Sequence, residues 1–258
     1  MKTLTEIYKY RQMIFSLVRK ELRGRYKGSV LGFLWTFINP LMQLIIYTVV
    51  FSVIMKSSID NFYLFLFVGL IPWIFFATSL TGGAGCILSQ KDMVNKIYFP
   101  REVLPIAYVT SSFVNMLYTF IVIFAVLFLS GYGVNGQALI FLPIVMLTEY
   151  VFALAIGLLA SGVTVYFRDM EHLLGILSMA WMYLSPIFFP MELIPDTVRS
   201  IYLANPMTPI IEAYHAILYY KHMPQGNGLY ITLGISLFLL LISFYLFGKL
   251  KRRFSEEM

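Results

Sequence analysis

Apolar and polar positions fall into long blocks along this chain, with charged islands between them. No residue from 61 to 90 carries a formal charge, and none from 103 to 148 does. A bilayer core about 30 Å thick needs roughly 20 apolar residues to be crossed by a helix, so each block holds at least one span. Between them lies the island KDMVNKIYFPREVLP, residues 91–105. Its pattern predicts a short amphipathic helix, with Met93, Val94 and Ile97 on one side and Lys91, Asp92, Asn95 and Lys96 elsewhere. Pro100 stops it, because the residue before a proline is pushed out of helical geometry. A short helix held at the water face by two spans is well placed to receive a push from a soluble partner. An ordinary surface loop is the plain alternative.

Read along the whole chain, the blocks predict six spans, at about residues 30–55, 62–88, 103–129, 138–166, 173–189 and 229–248. The second is interrupted by Pro72 and ends through the flexible TGGAG of residues 81–85; the fifth is short and broken by Pro186. A second charged island, FRDMEH at residues 167–172, closes the fourth. Residues 1–29 are basic and amphipathic: Leu4, Ile7, Tyr8, Ile14, Phe15, Val18 and Leu22 keep a helical period, with Lys9, Gln12, Ser16, Lys20 and Arg23 largely opposite. Such a helix lies in the membrane interface, cations toward anionic headgroups. Residues 190–228 leave the zigzag. Helix starts are signalled by Asp196 after Pro195, and by Thr208 as a cap with Pro209 behind it. The piece that follows, PIIEAYHAILYYKH, is too short to cross and reads as re-entrant or interfacial. The expected fold is therefore all-α. It is a polytopic membrane protein with six transmembrane helices, an N-terminal amphipathic interface helix over residues 1–29, and short external re-entrant helices between helices five and six. The transmembrane domain covers residues 30–248 and a cytoplasmic tail covers 249–258.

Composition agrees and narrows the class. At 59% hydrophobic and 12% charged over 258 residues, the chain carries more apolar surface than a soluble domain of its size can bury. The first long apolar run begins near residue 30 behind many basic residues, with no small-residue cleavage site after it, so a removable signal peptide is not expected. A single cysteine, Cys86, excludes an internal disulfide and any multi-cysteine metal site, and reads as a small packing residue. A net charge of +6 would suggest nucleic acid in a soluble protein, but a nucleic-acid arm would lack the apolar stripe of residues 1–29. The distribution of charge is more telling. Six spans put both termini on one side, and sixteen of the nineteen basic residues then share that side, leaving Lys56, Arg199 and Lys221 opposite. By the positive-inside rule both termini and both islands are cytoplasmic.

Candidate chemistry is sparse. There is no GxxxxGK[ST] phosphate loop, no HExxH, no clustered Cys/His metal spacing and no GxSxG elbow. His172, His215 and His222 are scattered; Asp169 with His172 could serve an acyltransferase, but solvated residues at a helix junction are the simpler reading. Glu149 is the one acid deep in a span, and an intramembrane carboxylate is a functional candidate by default. It heads a stripe of Glu149, Ala153, Gly157 and Ser161, the small-residue pattern that packs helices closely. Glu149 is then either a hydrogen-bonded brace or a proton relay. The brace is favoured, since a relay needs a second intramembrane titratable group and none is apparent. Two polar stripes remain: Gly32, Thr36, Asn39, Gln43 and Tyr47 on the first span, and Tyr108, Ser111, Ser112, Asn115, Tyr118 and Thr119 on the third. Helix packing explains either one alone. Together, in a chain with 17% aromatics, they suggest a conduit.

Several segments carry a resemblance. NKIYFPREVLP at residues 95–105, VYFRDMEHLL at 165–174, SPIFFP at 185–190 and NPMTPIIEAYHAIL at 205–218 resemble the type-2 ABC transporter permeases of the polysaccharide/polyol-phosphate exporter family, which export O-antigen, capsule and teichoic acid. The match covers nearly the whole chain in order, with the O-antigen permeases nearest. The resemblance implies a homodimeric permease in the bacterial cytoplasmic (inner) membrane, bound to two separate ATP-binding cassette ATPase subunits, with lipid-linked polysaccharide as cargo. ATP and Mg would sit on the partner, with no cofactor on this chain. The ATPase-coupling residues implied are Lys91, Asp92, Val94, Lys96, Ile97, Tyr98 and Arg101, with Arg168 and Asp169 as a secondary contact. The first and fifth spans would meet across the dimer axis, setting the conduit candidates Phe33, Thr36, Phe37, Asn39, Gln43 and Tyr47 opposite Trp181, Met182 and Ser185. The external gate would hold Asn205, Pro206, Tyr214 and His215; family members often carry arginine where this chain has His215. The rival readings are a proton-coupled secondary transporter using Glu149 and, more distantly, an acyltransferase using His172.

Overall fold

The computed structural model describes residues 2–25, 27–54 and 59–254, the side chains of residues 2–4 and 52–54 excepted. Lys56, the end of the first expected span, the side chains of Lys2 and Leu4, and tail residues 255–258 lie outside the described residues. What is described is helical, without strands. The order is α1 (Lys2–Lys9), α2 (Arg11–Gly24), α3 (Trp35–Thr48), α4 (Phe62–Gly85), α5 (Lys91–Lys96), α6 (Val103–Leu129), α7 (Gly136–Leu139), α8 (Leu142–Thr164), α9 (Met170–Tyr183), α10 (Asp196–Ala204), α11 (Met207–Tyr214) and α12 (Gly228–Leu250).

Five stretches are long and apolar enough to cross a membrane: Gly32–Phe51, Phe62–Gly85, Val103–Leu129, Gly136–Thr164 and Gly228–Arg253. Helix is the form such sequences must take in lipid, because every backbone N–H and C=O has to be bonded within the segment. The expected fifth span behaves differently. Its helix α9 begins at Met170, three residues early, and ends at Tyr183. Fourteen residues reach about 21 Å, short of a full crossing. Beyond it Ser185, Pro186, Ile187 and Phe188 are buried without helical winding; Pro186 has no N–H to continue the ladder.

Helix α4 is the hub. Of its span window 78% is buried inside the protein, against 17% for the first span and 22% for the last. Helices α3, α6, α8 and α9 pack around it, and α12 packs on the far side of α8. The small-residue stripe of α8 makes the closest crossing possible. A Cβ on Gly157 would lie 3.1 Å from Val109 and 3.2 Å from the Ser79 carbonyl oxygen, and Gly83 faces Gly157 directly. Glu149, Ala153 and Ser161 of that stripe are all buried, as expected of a surface that lets backbones approach.

Two ends of the bundle can be told apart. Both described chain ends and the α5 island share one end, here called the terminal face; Asp60 before α4 and the turn joining α6 to α8 share the other, the far face, with α10 and α11. The N-terminal amphipathic region is not one helix over residues 1–29. It breaks at Tyr10 into α1 and α2, and α2 packs along α6. Leu17 is buried against the protein, while Tyr8 (67% exposed) and Phe15 (74%) point away. The apolar stripe is thus divided between the bundle and the outside.

Candidate functional site

On the terminal face a small second core holds the charged island in place. Leu17 of α2, Cys86 and Ile87 after α4, Val94 of α5, Phe99, Val103 and Leu104 of the next turn, Phe247 of α12 and Phe254 all bury into it. The island helix ends at Lys96, earlier than Pro100 alone would require, and Ile97 is extended. The two residues next to each other in sequence, Ile97 and Tyr98, are therefore thrown outward at 57% and 92% exposure, while Val94 and Phe99 on either side are 5% exposed. This corrects the expectation that Ile97 shares a side with Val94. An apolar pair is presented to water on a mount anchored at both ends. Lys91, Asp92 and Lys96 are exposed around it, as are Arg168, Asp169 and His172 of the second island. Lys20 of α2 donates to Gln90 Oε1 (3.0 Å), strapping the interface helix to the base of α5.

Arg101, expected among the rim residues, turns inward instead. Its Nη1 donates to the Lys251 carbonyl at 2.5 Å, and its guanidinium lies over the Phe254 ring. Beside it Lys251 Nζ meets Glu102 Oε1 at 2.6 Å, with the Glu102 side chain fully buried. The Tyr166 hydroxyl donates to the Leu250 carbonyl (2.7 Å). The end of α12 is thus stapled to the residues just after the island helix and to the end of α8. Sequence reasoning missed Glu102 and Lys251 as a pair, and no local signal could reveal partners 149 positions apart. Arg25 was missed too: its Nη2 donates to Ser112 Oγ (2.7 Å) on the polar stripe of α6, so that stripe serves, in part, to receive a cation.

The far face is organised around Asn205. Its Oδ1 accepts from Trp181 Nε1 (2.8 Å) and from the Met207 backbone N–H (2.9 Å), and its Nδ2 donates to the Leu184 carbonyl (2.8 Å) and Ser185 Oγ (2.9 Å). One buried amide therefore ties the end of α9 to the start of α11. It also supplies the cap expected of Thr208. The helix starts at Met207, within reach of the Asn205 side chain, and the buried Thr208 hydroxyl has no partner. Pro206 begins the turn into the helix. The next residues fix α11 to the spans. Tyr214 donates to Glu149 Oε2 (2.7 Å), and His215 Nε2 donates to the Phe65 carbonyl (2.9 Å) with its ring stacked on Phe65. Gly69 makes room for that ring: a Cβ there would sit 2.9 Å from His215 Nε2. So Glu149 does have a titratable neighbour, supplied from 65 residues away, where span-by-span reading does not look. The loops join in: Tyr219 donates to the Asp60 carbonyl and Tyr132 to the Tyr219 carbonyl (2.8 Å).

The first-span stripe divides. Asn39 and Gln43 are exposed, together with Phe33; Phe33 rings contact Phe37 and Tyr118 edge-on. Thr36 is buried with an unpartnered hydroxyl, and Tyr47 packs against Phe188. Trp181 and Ser185 are engaged by Asn205. Ile45 is exposed as well, at 52%. Among the described residues, no three His, Cys, Asp or Glu side chains converge as a metal site.

A helical body with five membrane-length stretches, an exposed mount at one face and a buried brace at the other, is an integral membrane domain. The chain belongs to the ABC-2 type transporter family, whose profile matches residues 12–219. It is 35% identical to the O-antigen export system permease protein RfbA of Myxococcus xanthus, over 100% of this chain and 99% of that one. It is 32% identical to a protein of the same name from Klebsiella pneumoniae, over 95% and 94% of the two chains. It is 26% identical to the polysialic acid transport protein KpsM of Escherichia coli, over 83% and 84%.

Proposed function

We propose that this chain is the permease subunit of an ABC exporter that moves lipid-linked, O-antigen-like polysaccharide across the bacterial cytoplasmic membrane. It works as a homodimer with two ATPase subunits that hold ATP and Mg, with both termini cytoplasmic and six membrane crossings, α9 and its buried extension being the fifth. The observation that carries this reading is the outward pair Ile97 and Tyr98 between buried Val94 and Phe99. An apolar pair held in water on a rigid mount is the shape of a docking site, and a chain without a phosphate loop needs its energy from outside. Full-length relatives named as O-antigen export permeases support the cargo class. The polysialic acid relative supports capsule as the alternative.

Helix α9 supports the dimer. Leu173, Ile176, Leu177 and Met179 are all more than half exposed, on a helix too short to face lipid along a full crossing. The open side of α3, with Asn39, Gln43 and Phe33, is the proposed conduit wall: amide groups bond sugar hydroxyls while rings meet their apolar C–H faces. The test is reconstitution with the partner ATPase. Replacing Ile97 and Tyr98 by Asp would bury unpaired charge in the contact, several kcal/mol. Export and stimulated ATP hydrolysis should both be lost while the chain still inserts. Normal stimulation in that variant would refute the docking role.

A further inference from the structure

A cavity of about 520 Å³ on the far face opens between α10, α11 and the start of α12, with Asn205, Pro206 and His215 in its wall. Its size is that of a small-ligand site. Glu192 and Glu212 both line it. Neither carboxylate takes a hydrogen bond or an ion pair among the described residues; Arg199, a cation that acts on Glu212, pairs with Asp196 (3.7 Å). Glu212 is an exposed residue; partial burial of its carboxyl first, and the Glu192 charge second, raise it above its ordinary range, with Arg199 opposing. Thr208 also lines the cavity; it is 1% exposed and its buried hydroxyl has no partner. The two histidines on the wall are engaged elsewhere, His215 with the Phe65 carbonyl and His222 Nδ1 with the Met223 carbonyl. Among their polar groups the walls thus offer two negatively charged acceptors and the buried, unpartnered Thr208 hydroxyl.

The rim says where the occupant comes from. Ile231 (60% exposed) and Ile235 (43%) line the open side, and both belong to a stretch long and apolar enough to cross the membrane. Acyl chains would lie along such an edge, which joins the cavity to the lipid-length stretch of α12. The geometry points to a binding site for a phospholipid with a primary-ammonium headgroup, phosphatidylethanolamine in kind, in the far-face leaflet. Its ammonium would sit between Glu192 and Glu212, with an N–H to the Thr208 hydroxyl and its tails along α12. An anionic headgroup would meet two carboxylates, and a quaternary choline has no N–H to give.

The test is native mass spectrometry of the full chain in detergent, titrated with palmitoyl-oleoyl phosphatidylethanolamine, phosphatidylcholine or phosphatidylglycerol. One phosphatidylethanolamine per chain should bind about tenfold tighter than the other two, the order contributed by one charge-assisted hydrogen bond. Equal binding of the three lipids would overturn the proposal. Glu192→Gln and Glu212→Gln should each shrink the preference and together abolish it. Glu192 lies on an exposed turn, so its variant decides the matter even if the Glu212 variant misfolds; a preference unchanged in Glu192→Gln counts against the site. Excess free phosphoethanolamine should fail to displace the lipid. Displacement would mean that a soluble amine is the ligand and the lipid assignment is wrong.

Discussion

The two faces of this bundle solve the same problem, fixing short helices onto long ones, with different chemistry. On the terminal face the fastening is ionic, Lys251 to Glu102 with Arg101 alongside, and the segment it fastens pushes an apolar pair into water. On the far face the side-chain fastenings onto the spans run through Asn205, Tyr214 and His215, which are all buried, and the fastened helix α11 hides nearly every side chain. The contrast fits the proposed roles, a docking surface at one face and a fixed, braced helix at the other. It also predicts unequal responses to mutation.

The largest effect is expected at Lys251. Lys251→Met leaves the fully buried Glu102 carboxylate without its cation, and breaking a buried pair from one side costs about 3–5 kcal/mol. Glu102→Gln should cost less, because the Lys251 side chain is 27% exposed and can reach water. Thermal unfolding of the detergent-solubilised chain gives both values; equal losses would mean that the staple is not the asymmetric pair described. Next comes Asn205→Ala, which strands the Trp181 and Met207 N–H groups at about 1–3 kcal/mol for each one kept from water. Ser185→Ala, removing one of the four Asn205 bonds, should cost well under half of that. Smallest is Glu149. Glu149→Leu leaves the buried Tyr214 hydroxyl unpaired, about 1–3 kcal/mol, whereas Glu149→Gln keeps an acceptor and should nearly restore stability. The Gln variant should still transport, since a brace moves no proton. Loss of export by a stable Gln variant would favour proton coupling instead.

How much of this could be read in advance follows from the range of each interaction. The long spans were legible because lipid imposes local rules: unbroken apolar length and backbone bonds closed within each segment. The island helix, the α10 start and the Gly157 stripe were legible for the same local reason. Ile97 was misassigned because the end of α5 is set by Phe99 and Val94 sinking into a core shared with α2 and α12, not by its own periodicity. Thr208 has the local signature of a cap because it sits before a proline; Asn205, three residues earlier, wins because its amide also reaches Trp181 and Ser185. Glu102 with Lys251, Glu149 with Tyr214 and Arg25 with Ser112 join residues 65 to 149 positions apart, and hydrophobic pattern carries no such pairing.

Ile97 and Tyr98 carry the proposed docking role. The direct measurement is thiol labelling of Tyr98→Cys in a Cys86→Ser background, with the chain alone and with its ATPase partner bound. Tyr98 is 92% exposed and Cys86 is buried, so the new thiol should react at once in the isolated chain and be shielded when the ATPase is added. Labelling that proceeds equally fast in the assembled complex would contradict the central claim.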